Sequence, residues 1–533
     1  MFRSLLSRFD TLPVAGRLLR RFAATAEDEA GRRVGDADGL PIRPADRRAV
    51  LQSLLAARFH DAGIECHCAD GESAAYCAIL DKDVDGAARV LQRLATDLGV
   101  NQVVVWQGRG YGYGAEQLAE SLQPADVAGS DSLVVAVPIV RERLRIGRSG
   151  GVEVLIVGRQ GPRYVARRDW AGKVDWTQEF AGSTSVPAAD GEAAARPSCS
   201  RRPRQHVLDR EPVDAVYTWV DSGDADWLAE MQRWASRERG GLESSREPER
   251  FADRDELRYS LRSLWLYAPF VRNVFIVTSG QVPRWLDGSH DRVRVVPHRD
   301  IFPDRRDLPT FNSHAIEACL HRIEGLAEHF IYFNDDVFLL RETTPGTFFT
   351  RNGLAKSRFS TRAAIPAVEP GPESIPTDWA SYNAATFIER DFGLRFDRKL
   401  KHVPMPMKKS VLADLETRYA DEFEATRRAR FRSSSDIAVP SMLAHLYGIC
   451  AGQAVEWQHV PGEYVYADSG RSDIRSKLEQ MLEGPATFAC INSTRFSDVS
   501  TEEQRDLLAR FFEQRFPFRS PFEIEGRRPG AQS

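Results

Sequence analysis

Beginning at residue 213, the sequence alternates strand-like and helix-like segments, and this alternation limits the fold more than any other feature. Runs rich in β-branched and aromatic residues lie at 213–220, 271–278, 292–296 and 330–333. Helical periodicity lies between them, over 255–268, where Asp253 and Glu256 resemble a capping box, and over 313–324. Strands that alternate with helices predict an α/β domain whose sheet is largely parallel.

Polar side chains follow three of the predicted strands. They are Asp221 and Asp224 after the first strand, Thr278 and Ser279 at the end of the second, and Asn334, Asp335 and Asp336 after the last. Ligands of α/β sheets bind at the carboxyl ends of the strands. We therefore expect one crevice to collect several of these carboxylates, although the sequence does not set the order of the strands.

The chain of 533 residues has room for roughly two to four domains. Helical and strand-like segments also alternate over 45–180, which predicts a smaller α+β domain ahead of the α/β core. Its helices are expected at 47–59 and 84–98, and its strands at 64–68, 75–80, 102–106, 133–140 and 152–157. The other expected parts are a basic amphipathic leader over 1–30, a linker over 181–212, the α/β core over 213–345 and its C-terminal part over 346–525.

The composition excludes several classes of protein. Hydrophobic residues make up 42% and charged residues 28% of the chain, and the formal net charge of −4 creates no field that would attract nucleic acid. The cysteines, 7 in all, are odd in number and lack a CxxC or Cys/His framework, which argues against a disulfide scaffold or a structural zinc site. Cys66 and Cys68 stand alone and predict a short strand with cysteine on one face.

The first 25 residues combine an apolar helical face with basic side chains. The face includes Phe2, Leu5, Leu6 and Phe9, and the arginines are Arg3, Arg8, Arg17, Arg20 and Arg21. No unbroken apolar segment is present, so neither a signal peptide nor a membrane span of about 20 apolar residues is predicted. A basic amphipathic stretch can bind an anionic membrane surface. A frayed leader or a helix docked on the protein fits the same pattern, and these interpretations stay open.

Asp335 and Asp336 are the sharpest chemical feature of the sequence. Two adjacent carboxylates after a buried strand can hold a hard cation against phosphate oxygens, and Mg²⁺ usually takes one or two carboxylates in such a site. A solvated turn or a helix N-cap explains the same pair. The motif alone does not decide between a metal site and a turn.

Other candidate residues also have plain structural explanations. His402 is a natural general base, but a single histidine is more often structural. Arg432 offers a forked donor for phosphate, or else a surface ion pair. Asp221 could bind a nucleotide or form an Asx turn. Ser313 and Glu317, one helical turn apart, could simply cap a helix and face solvent.

Four ordered blocks and one later segment resemble the Stealth proteins, which include bacterial capsular and exopolysaccharide phosphotransferases and the animal N-acetylglucosamine-1-phosphotransferase. The blocks are 214–221, then 250–263 with 268–281, then 308–317 with 325–337, then 408–411 with 431–437, and the later segment is Cys490-Ile-Asn492. They span most of residues 213–492. An ordered match of this length is specific.

The resemblance implies a nucleotide-sugar-transferase-like, Rossmann-like catalytic domain with helical C-terminal additions. It also implies a UDP-sugar donor, Mg²⁺ or Mn²⁺ as cofactor, a glycan or lipid-linked glycan acceptor, release of UMP and a phosphodiester product in capsular or exopolysaccharide synthesis. The expected location is the cytoplasm, with contact to the inner face of the membrane through residues 1–25. The alternatives are a metal-dependent glycosyltransferase that releases UDP and a non-catalytic polysaccharide-binding or assembly protein.

The candidate site residues lie within these blocks or close to them. The residues matched to catalytic positions are Ser313, Glu317, Asp336, His402 and Arg432. The expected metal ligands are Asp335 and Asp336. The residues expected to bind the cofactor or donor are Asp221, Arg258, Thr278 and Asn492. An arginine that the family places between its third and fourth blocks has no clear counterpart over 364–379.

Overall fold

The computed structural model describes residues 41–70, 75–98, 102–109, 112–141, 144–146, 151–160, 163–166, 208, 211–238, 242, 245, 251, 253–371, 373–493 and 497–524. The chain divides into two compact units, Met1–Gln205 and His206–Ser533. The predicted leader over 1–30 and most of the predicted linker over 181–212 lie outside the described residues. Within those ranges, none of the helices combines the length and apolar composition that crossing a bilayer requires.

The N-terminal unit is a sheet covered by helices. Its elements, in chain order, are α1 (Pro44–Asp61), β1 (Cys66–Asp70), β2 (Ala75–Leu80), α2 (Val84–Leu98), β3 (Val104–Arg109), β4 (Gly112–Leu118), α3 (Pro124–Ala128), β5 (Ser132–Ala136), β6 (Ile139–Arg141), β7 (Leu144–Ile146), β8 (Val152–Gln160) and β9 (Arg163–Ala166). The main sheet has the strand order β1-β2-β8-β5-β3-β4, and β9 pairs with β8. Strand β2 and helix α2 have the bounds predicted from the sequence.

The core of this unit lies between the sheet and the helices α1 and α2. Leu51 and Leu55 of α1 and Leu91 of α2 are buried together with Cys77 and Ile79 of β2. Side chains on alternate residues of a strand share one face, so β2 presents Cys77 and Ile79 to the helices. Burying this apolar face is what holds α1 against the edge of the sheet that β1 and β2 form.

The C-terminal unit contains the α/β pattern. Its elements are β10 (Val213–Thr218), α4 (Ala225–Arg237), α5 (Glu256–Tyr267), β11 (Val271–Thr278), β12 (Val293–Pro297), α6 (Ser313–Glu317), β13 (His329–Asn334), β14 (Val337–Leu339), α7 (Pro345–Phe348), β15 (Ala355–Ser357), β16 (Phe359–Ala364), α8 (Pro376–Phe392), β17 (Arg398–Leu400), β18 (Met405–Lys408), α9 (Lys409–Arg418), α10 (Ala420–Arg428), α11 (Ala444–Cys450), β19 (Ala454–Glu456), β20 (Tyr464–Asp468), α12 (Ile474–Glu483), β21 (Phe488–Asn492) and α13 (Thr501–Arg515).

The central sheet of this unit has the strand order β12-β11-β10-β13-β18. Strands β12, β11, β10 and β13 are parallel, and β18 is antiparallel to β13. This confirms the predicted α/β fold with a largely parallel sheet. In register, Thr218 pairs with both Val277 and Asn334, so β10, β11 and β13 end at the same edge. The polar residues that follow these strands therefore meet there, as expected.

Two local predictions were wrong. The helix expected over 313–324 ends at Glu317, and a short 3₁₀ turn over Leu320–Arg322 follows it. The expected capping box at Asp253 is also absent. Asp255 is the N-cap residue of α5, with φ of 68°, and the Asp253 carboxylate accepts a hydrogen bond from its backbone N–H instead.

Candidate active site

A tight turn brings two carboxylates to the edge of the sheet. Strand β13 ends at Asn334, residues Asp335 and Asp336 form the turn, and β14 follows directly. Strand β14 leaves the central sheet and pairs with β21 in a sheet of its own with β20. The two aspartates are thus held between two sheets rather than at the free end of a loop.

The carboxylates at this edge repel one another. Desolvation raises the pKa of Asp335 well above its usual value, and the charges of Asp336 and Asp253 raise it further. Burial likewise raises the pKa of Glu256 to about 7, with a further contribution from Asp335. Burial also raises the pKa of Asp253, and the charge of Glu256 raises it further. Mutual repulsion of this kind is relieved when a cation binds.

Asp336 lies between His402 and Cys490. Its Oδ2 accepts a hydrogen bond from the Cys490 thiol at 3.4 Å, and its Oδ1 lies 3.9 Å from His402 Nε2. Oδ1 is buried and has no hydrogen-bond partner among the residues that the structure describes. A buried carboxylate oxygen that lacks a partner is costly, so this atom is a natural ligand position for a cation.

A one-way chain of hydrogen bonds starts at His402. Its Nε2 lies 2.9 Å from Asn334 Oδ1, Asn334 Nδ2 donates to the Tyr332 hydroxyl at 3.2 Å, and that hydroxyl donates to Glu317 Oε1 at 3.0 Å. Because an amide oxygen can only accept, Nε2 must carry a proton, and Nδ1 of the neutral ring keeps its lone pair. These hydrogen bonds, which end at the Glu317 carboxylate of α6, therefore fix the tautomer of His402.

Arg432 is held by the helix that also carries Glu317. Its Nη2 donates to Ser313 Oγ at 2.6 Å. Desolvation lowers the pKa of the Arg432 guanidinium, and the charges of Glu317 and Asp436 act in the opposite direction. Ser313 does not cap the helix, since the Asn312 side chain accepts from the His314 backbone N–H.

Asp436 fixes the loop that carries Arg432. Its Oδ2 accepts from Asn312 Nδ2 at 2.8 Å and lies 3.2 Å from His314 Nδ1, while the Ser433 backbone N–H donates to it at 3.0 Å. This buried carboxylate therefore joins the start of α6 to the loop over 432–436. The start of α6 and the loop over 432–436 therefore together set the position of the Arg432 guanidinium.

Asp221 and Thr278 shape the ends of β10 and β11. The Asp221 side chain accepts from the Gly223 backbone N–H at 2.7 Å, which is the Asx turn considered above. Thr278 donates to the Gln281 carbonyl at 2.8 Å, and the Gln281 amide donates to the Asp221 carbonyl at 2.8 Å. Gln281 thus ties the two strand ends together.

Arg258 and Asn492 lie in different surroundings. Arg258 is 2% exposed, and its Nε donates to Glu523 Oε2 at 2.7 Å, which bonds it to the C-terminal segment rather than to the carboxylates. Asn492 ends β21, two residues after Cys490, and its Oδ1 accepts from the Ser493 backbone N–H at 2.7 Å. The structure thus brings Asp335, Asp336 and His402 together, and Glu317, Ser313 and Arg432 beside them, while Arg258 points into a separate ion pair.

The site includes residues that the sequence did not assign to it. Tyr332 could have been found, because it lies two residues before Asn334 and so shares a face of β13. Glu256 was interpreted only as a capping residue. Cys490 was recognised only as part of a family segment, and its place beside Asp336 follows from the pairing of Val337 with Cys490 across β14 and β21.

The donor set at this edge fits a hard divalent cation. Ligand atoms of Asp336, His402 and Cys490 lie within 4.8 Å of one another, a nitrogen–sulfur combination that softer metals prefer. However, burial and the charge of Asp336 raise the pKa of the Cys490 thiol, which disfavours the thiolate that a softer metal would need. The carboxylate oxygens of Asp335 and Asp336 remain, and these suit Mg²⁺ or Mn²⁺.

Comparison with known proteins agrees with the resemblance seen in the sequence. The conserved regions 1, 2, 3 and 4 of the Stealth proteins match residues 211–238, 250–357, 401–448 and 480–532. An exopolysaccharide phosphotransferase of Streptomyces coelicolor is 36% identical over 398 residues, which cover 71% of this chain and 71% of the relative. The chain belongs to the Stealth family.

Two more Streptomyces coelicolor proteins show how far this similarity extends. Both are named exopolysaccharide phosphotransferases. One is 44% identical over 317 residues, 58% of this chain and 51% of the relative. The other is 32% identical over 533 aligned residues, 94% of this chain and 55% of the relative. The chain thus spans about half the length of these two curated relatives.

Proposed function

We propose that this Stealth protein transfers a sugar 1-phosphate from a UDP-sugar to a hydroxyl group of a glycan acceptor, in capsular or exopolysaccharide synthesis, and releases UMP. Its relatives are named exopolysaccharide phosphotransferases, which supports transfer of a phosphate-linked sugar. The observation that carries the proposal is Oδ1 of Asp336, which has no hydrogen-bond partner in the described part of the chain and lies 3.9 Å from His402 at the carboxyl edge of the sheet. This arrangement supports a role for Asp336 as a cation ligand and for His402 as the neighbouring base.

The carboxylates of Asp335 and Asp336 would hold the metal ion, Mg²⁺ or Mn²⁺. When bound, the ion would neutralise negative charge on the donor diphosphate. Asp253 and Glu256 lie close enough to affect the charge of this pair, and they add to the negative potential that attracts the ion. The residues present therefore fit the cofactor that the family resemblance implies.

Arg432 binds the non-bridging phosphate oxygens. Ser313 accepts a hydrogen bond from the guanidinium group and Asp436 fixes the loop that carries Arg432, so the side chain loses little conformational freedom when the donor binds. Phosphoryl transfer depends mainly on positioning and charge neutralisation, and a fixed guanidinium supplies both.

His402 takes the proton of the acceptor hydroxyl at Nδ1, the ring atom that keeps a lone pair; Nδ1 lies 3.5 Å from the Cys490 sulfur, so the acceptor hydroxyl has to replace this contact. As the proton leaves, the acceptor oxygen forms a bond to the β-phosphorus, and the bond between that phosphorus and the UMP oxygen breaks. The chain through Asn334 and Tyr332 to Glu317 stabilises the imidazolium that results, because its far end is a carboxylate.

The nucleotide product distinguishes this reaction from its rivals. The protein would be incubated with a panel of radiolabelled UDP-sugars, Mg²⁺ and glycan acceptors, and the nucleotide and the acceptor analysed. Release of UMP with phosphorus retained in the acceptor is expected. UDP as product would instead indicate a glycosyltransferase that attacks the anomeric carbon. Donor binding with no turnover of any sugar would favour a polysaccharide-binding or assembly protein.

Residues 1–25 are proposed to bring the protein to anionic membranes, where lipid-linked glycan acceptors are found. Their five arginines and apolar face support this proposal. Deleting them should greatly reduce co-sedimentation with vesicles that contain anionic lipid, and the loss should disappear at high salt, where both proteins bind weakly. Equal sedimentation of the full chain and the deletion variant at low salt would contradict this role.

A further inference from the structure

Three cysteines of the N-terminal unit face one another. Cys66 and Cys68 lie two residues apart on β1 and so share a face of that strand. Cys77 lies on the neighbouring strand β2, directly opposite Cys68 in the antiparallel register. The predicted short strand with cysteine on one face is confirmed, but Cys66 and Cys68 do not stand alone, because the pairing of β1 with β2 supplies a third thiol that spacing along the chain does not reveal.

The distances between the sulfur atoms are those of a metal–thiolate centre. The Sγ atoms of Cys68 and Cys77 are 3.6 Å apart, and the Sγ atoms of all three cysteines lie within 4.8 Å of one another. A zinc ion at about 2.3 Å from each sulfur would hold sulfurs about 3.8–4.0 Å apart in a tetrahedral or trigonal arrangement. The three thiols could therefore ligate one ion with small side-chain movements.

The surroundings favour a soft cation over a hard one. Cys77 is completely buried, and Cys66 and Cys68 are half-buried against the apolar core beneath α1. The Cys77 thiol donates a hydrogen bond to the Gln52 carbonyl of α1, 3.9 Å from its sulfur. Sulfur ligands select Zn²⁺ and Cu⁺ rather than Mg²⁺.

We propose that Cys66, Cys68 and Cys77 together bind one thiophilic metal ion, Zn²⁺ or Cu⁺, in the N-terminal unit. This site is separate in sequence and in chemistry from the carboxylates that would hold Mg²⁺, and it does not depend on the proposed transferase activity. The ion links β1 to β2 beneath α1 and stabilises this edge of the sheet when bound.

The test is a metal titration of the reduced, metal-free full chain under anaerobic conditions. Zn²⁺ and Cu⁺ would each be added in competition with a chromophoric chelator, and Co²⁺ would be added separately, because thiolate ligands give it a charge-transfer absorption. The wild-type protein should bind one ion of Zn²⁺ or Cu⁺, show the thiolate absorption with Co²⁺ and melt at a higher temperature with the bound ion.

Variants locate the site. Cys68→Ser and Cys66→Ser should each lose the bound ion and the thiolate absorption, while melting of the metal-free protein changes little. His67→Ala alters the opposite face of the same strand and should bind as the wild type does. Cys490→Ser tests the other candidate sulfur ligand.

Three results would overturn the proposal. The first is a wild-type protein that binds neither Zn²⁺ nor Cu⁺ in competition with the chelator. The second is binding that survives in both Cys66→Ser and Cys68→Ser. The third is binding that is lost in Cys490→Ser but kept in Cys68→Ser. If Cys68→Ser does not fold, Cys66→Ser decides, since Cys66 is half-buried and does not pair with Cys77 in the sheet.

Discussion

At the scale of single residues, Asp336 combines a carboxylate oxygen that is buried and has no hydrogen-bond partner among the described residues with two close neighbours, His402 and Cys490. Asp336→Asn keeps the shape of the side chain and removes its charge. We expect the variant to lose transfer activity and to lose the rise in melting temperature that Mg²⁺ gives the wild-type protein. Without Mg²⁺ it should melt at the same temperature as the wild type or higher, because repulsion with Asp335 is reduced.

The matched control for this change is Asp304→Asn. Asp304 is a surface carboxylate that pairs with Arg306 at 2.6 Å, so its loss should leave both activity and the Mg²⁺ effect unchanged. Calorimetric melting with and without Mg²⁺, run beside the transfer assay, measures both quantities. Full activity of Asp336→Asn at saturating Mg²⁺ would refute the metal role.

His402 should be required for transfer but not for donor binding. Removing a general base typically lowers the rate by about 10²–10⁴-fold. We expect His402→Ala to show such a loss with nearly unchanged affinity for the nucleotide-sugar and an unchanged melting temperature, since the ring is 35% exposed. Arg432→Ala should differ by weakening donor binding and transfer together, because phosphate neutralisation acts in both the ground and the transition state.

Donor affinity, melting and transfer rate measured on the same preparation separate these outcomes. A His402→Ala protein that folds, binds donor and transfers at a near-normal rate is not compatible with a base at this position. Joint loss of stability and donor binding would instead indicate that His402 is structural.

At the scale of elements, buried histidines make the packing of helices on strands sensitive to acid. His445 of α11 lies 2.8 Å from Ser357 of β15, and burial lowers its pKa to about 4. Burial lowers the pKa of His298 to about 3. Since an unfolded histidine has its usual pKa of about 6.5, folding favours the neutral ring. The contribution of the neutral rings to the free energy of unfolding is complete above about pH 6.5 and is lost as the pH falls toward 4.

Lowering the pH from 7 to 5 should reduce the free energy of unfolding by about 2 kcal/mol through the protonation of His445 alone. His445→Gln should therefore show a shallower fall in stability over this range, measured by chemical denaturation at the two pH values. His459→Gln, at an exposed position of the same unit, is the control and should follow the wild type. An identical pH dependence in wild type and His445→Gln would rule out this source of acid sensitivity.

At the scale of the whole C-terminal unit, one buried ion-pair group holds the end of the chain to the core. Glu523 is 2% exposed and accepts hydrogen bonds from Arg258 Nε and Arg262 Nε, each at 2.7 Å. Both arginines lie on α5, more than half of the unit away in sequence. These ion pairs hold the segment around Glu523 against α5.

Glu523→Ala should destabilise this unit by about 3–5 kcal/mol, because two buried guanidinium groups lose their carboxylate. Glu503→Ala breaks a surface ion pair with Arg475, in which the Arg475 side chain is 66% exposed and the Glu503 side chain 45%. This variant should lose no more than about 1 kcal/mol of unfolding free energy. Urea denaturation of the two variants gives the comparison. A loss near that of Glu503→Ala would mean that Arg258 and Arg262 find other partners.

Local features of the fold were predictable from the sequence because they depend on neighbouring residues. Strand β11 has the bounds that its run of β-branched and aromatic residues predicted, and so has α2 in the N-terminal unit. The turn at Asp335 and Asp336 follows from a change from apolar to charged residues at one point. The parallel sheet then required these polar ends to share one edge, since parallel strands that alternate with helices all run in the same direction.

Contacts between distant segments were decided only by the tertiary structure. Cys490 reaches Asp336 across 154 residues because β21 pairs with β14, and Cys77 joins Cys66 and Cys68 because β2 pairs with β1. The sequence by itself determined which segments form strands and helices and where charge accumulates, since periodicity and polarity act over a few residues. Which side chains meet across those segments depends on register and strand order, and these are set by packing of the whole chain.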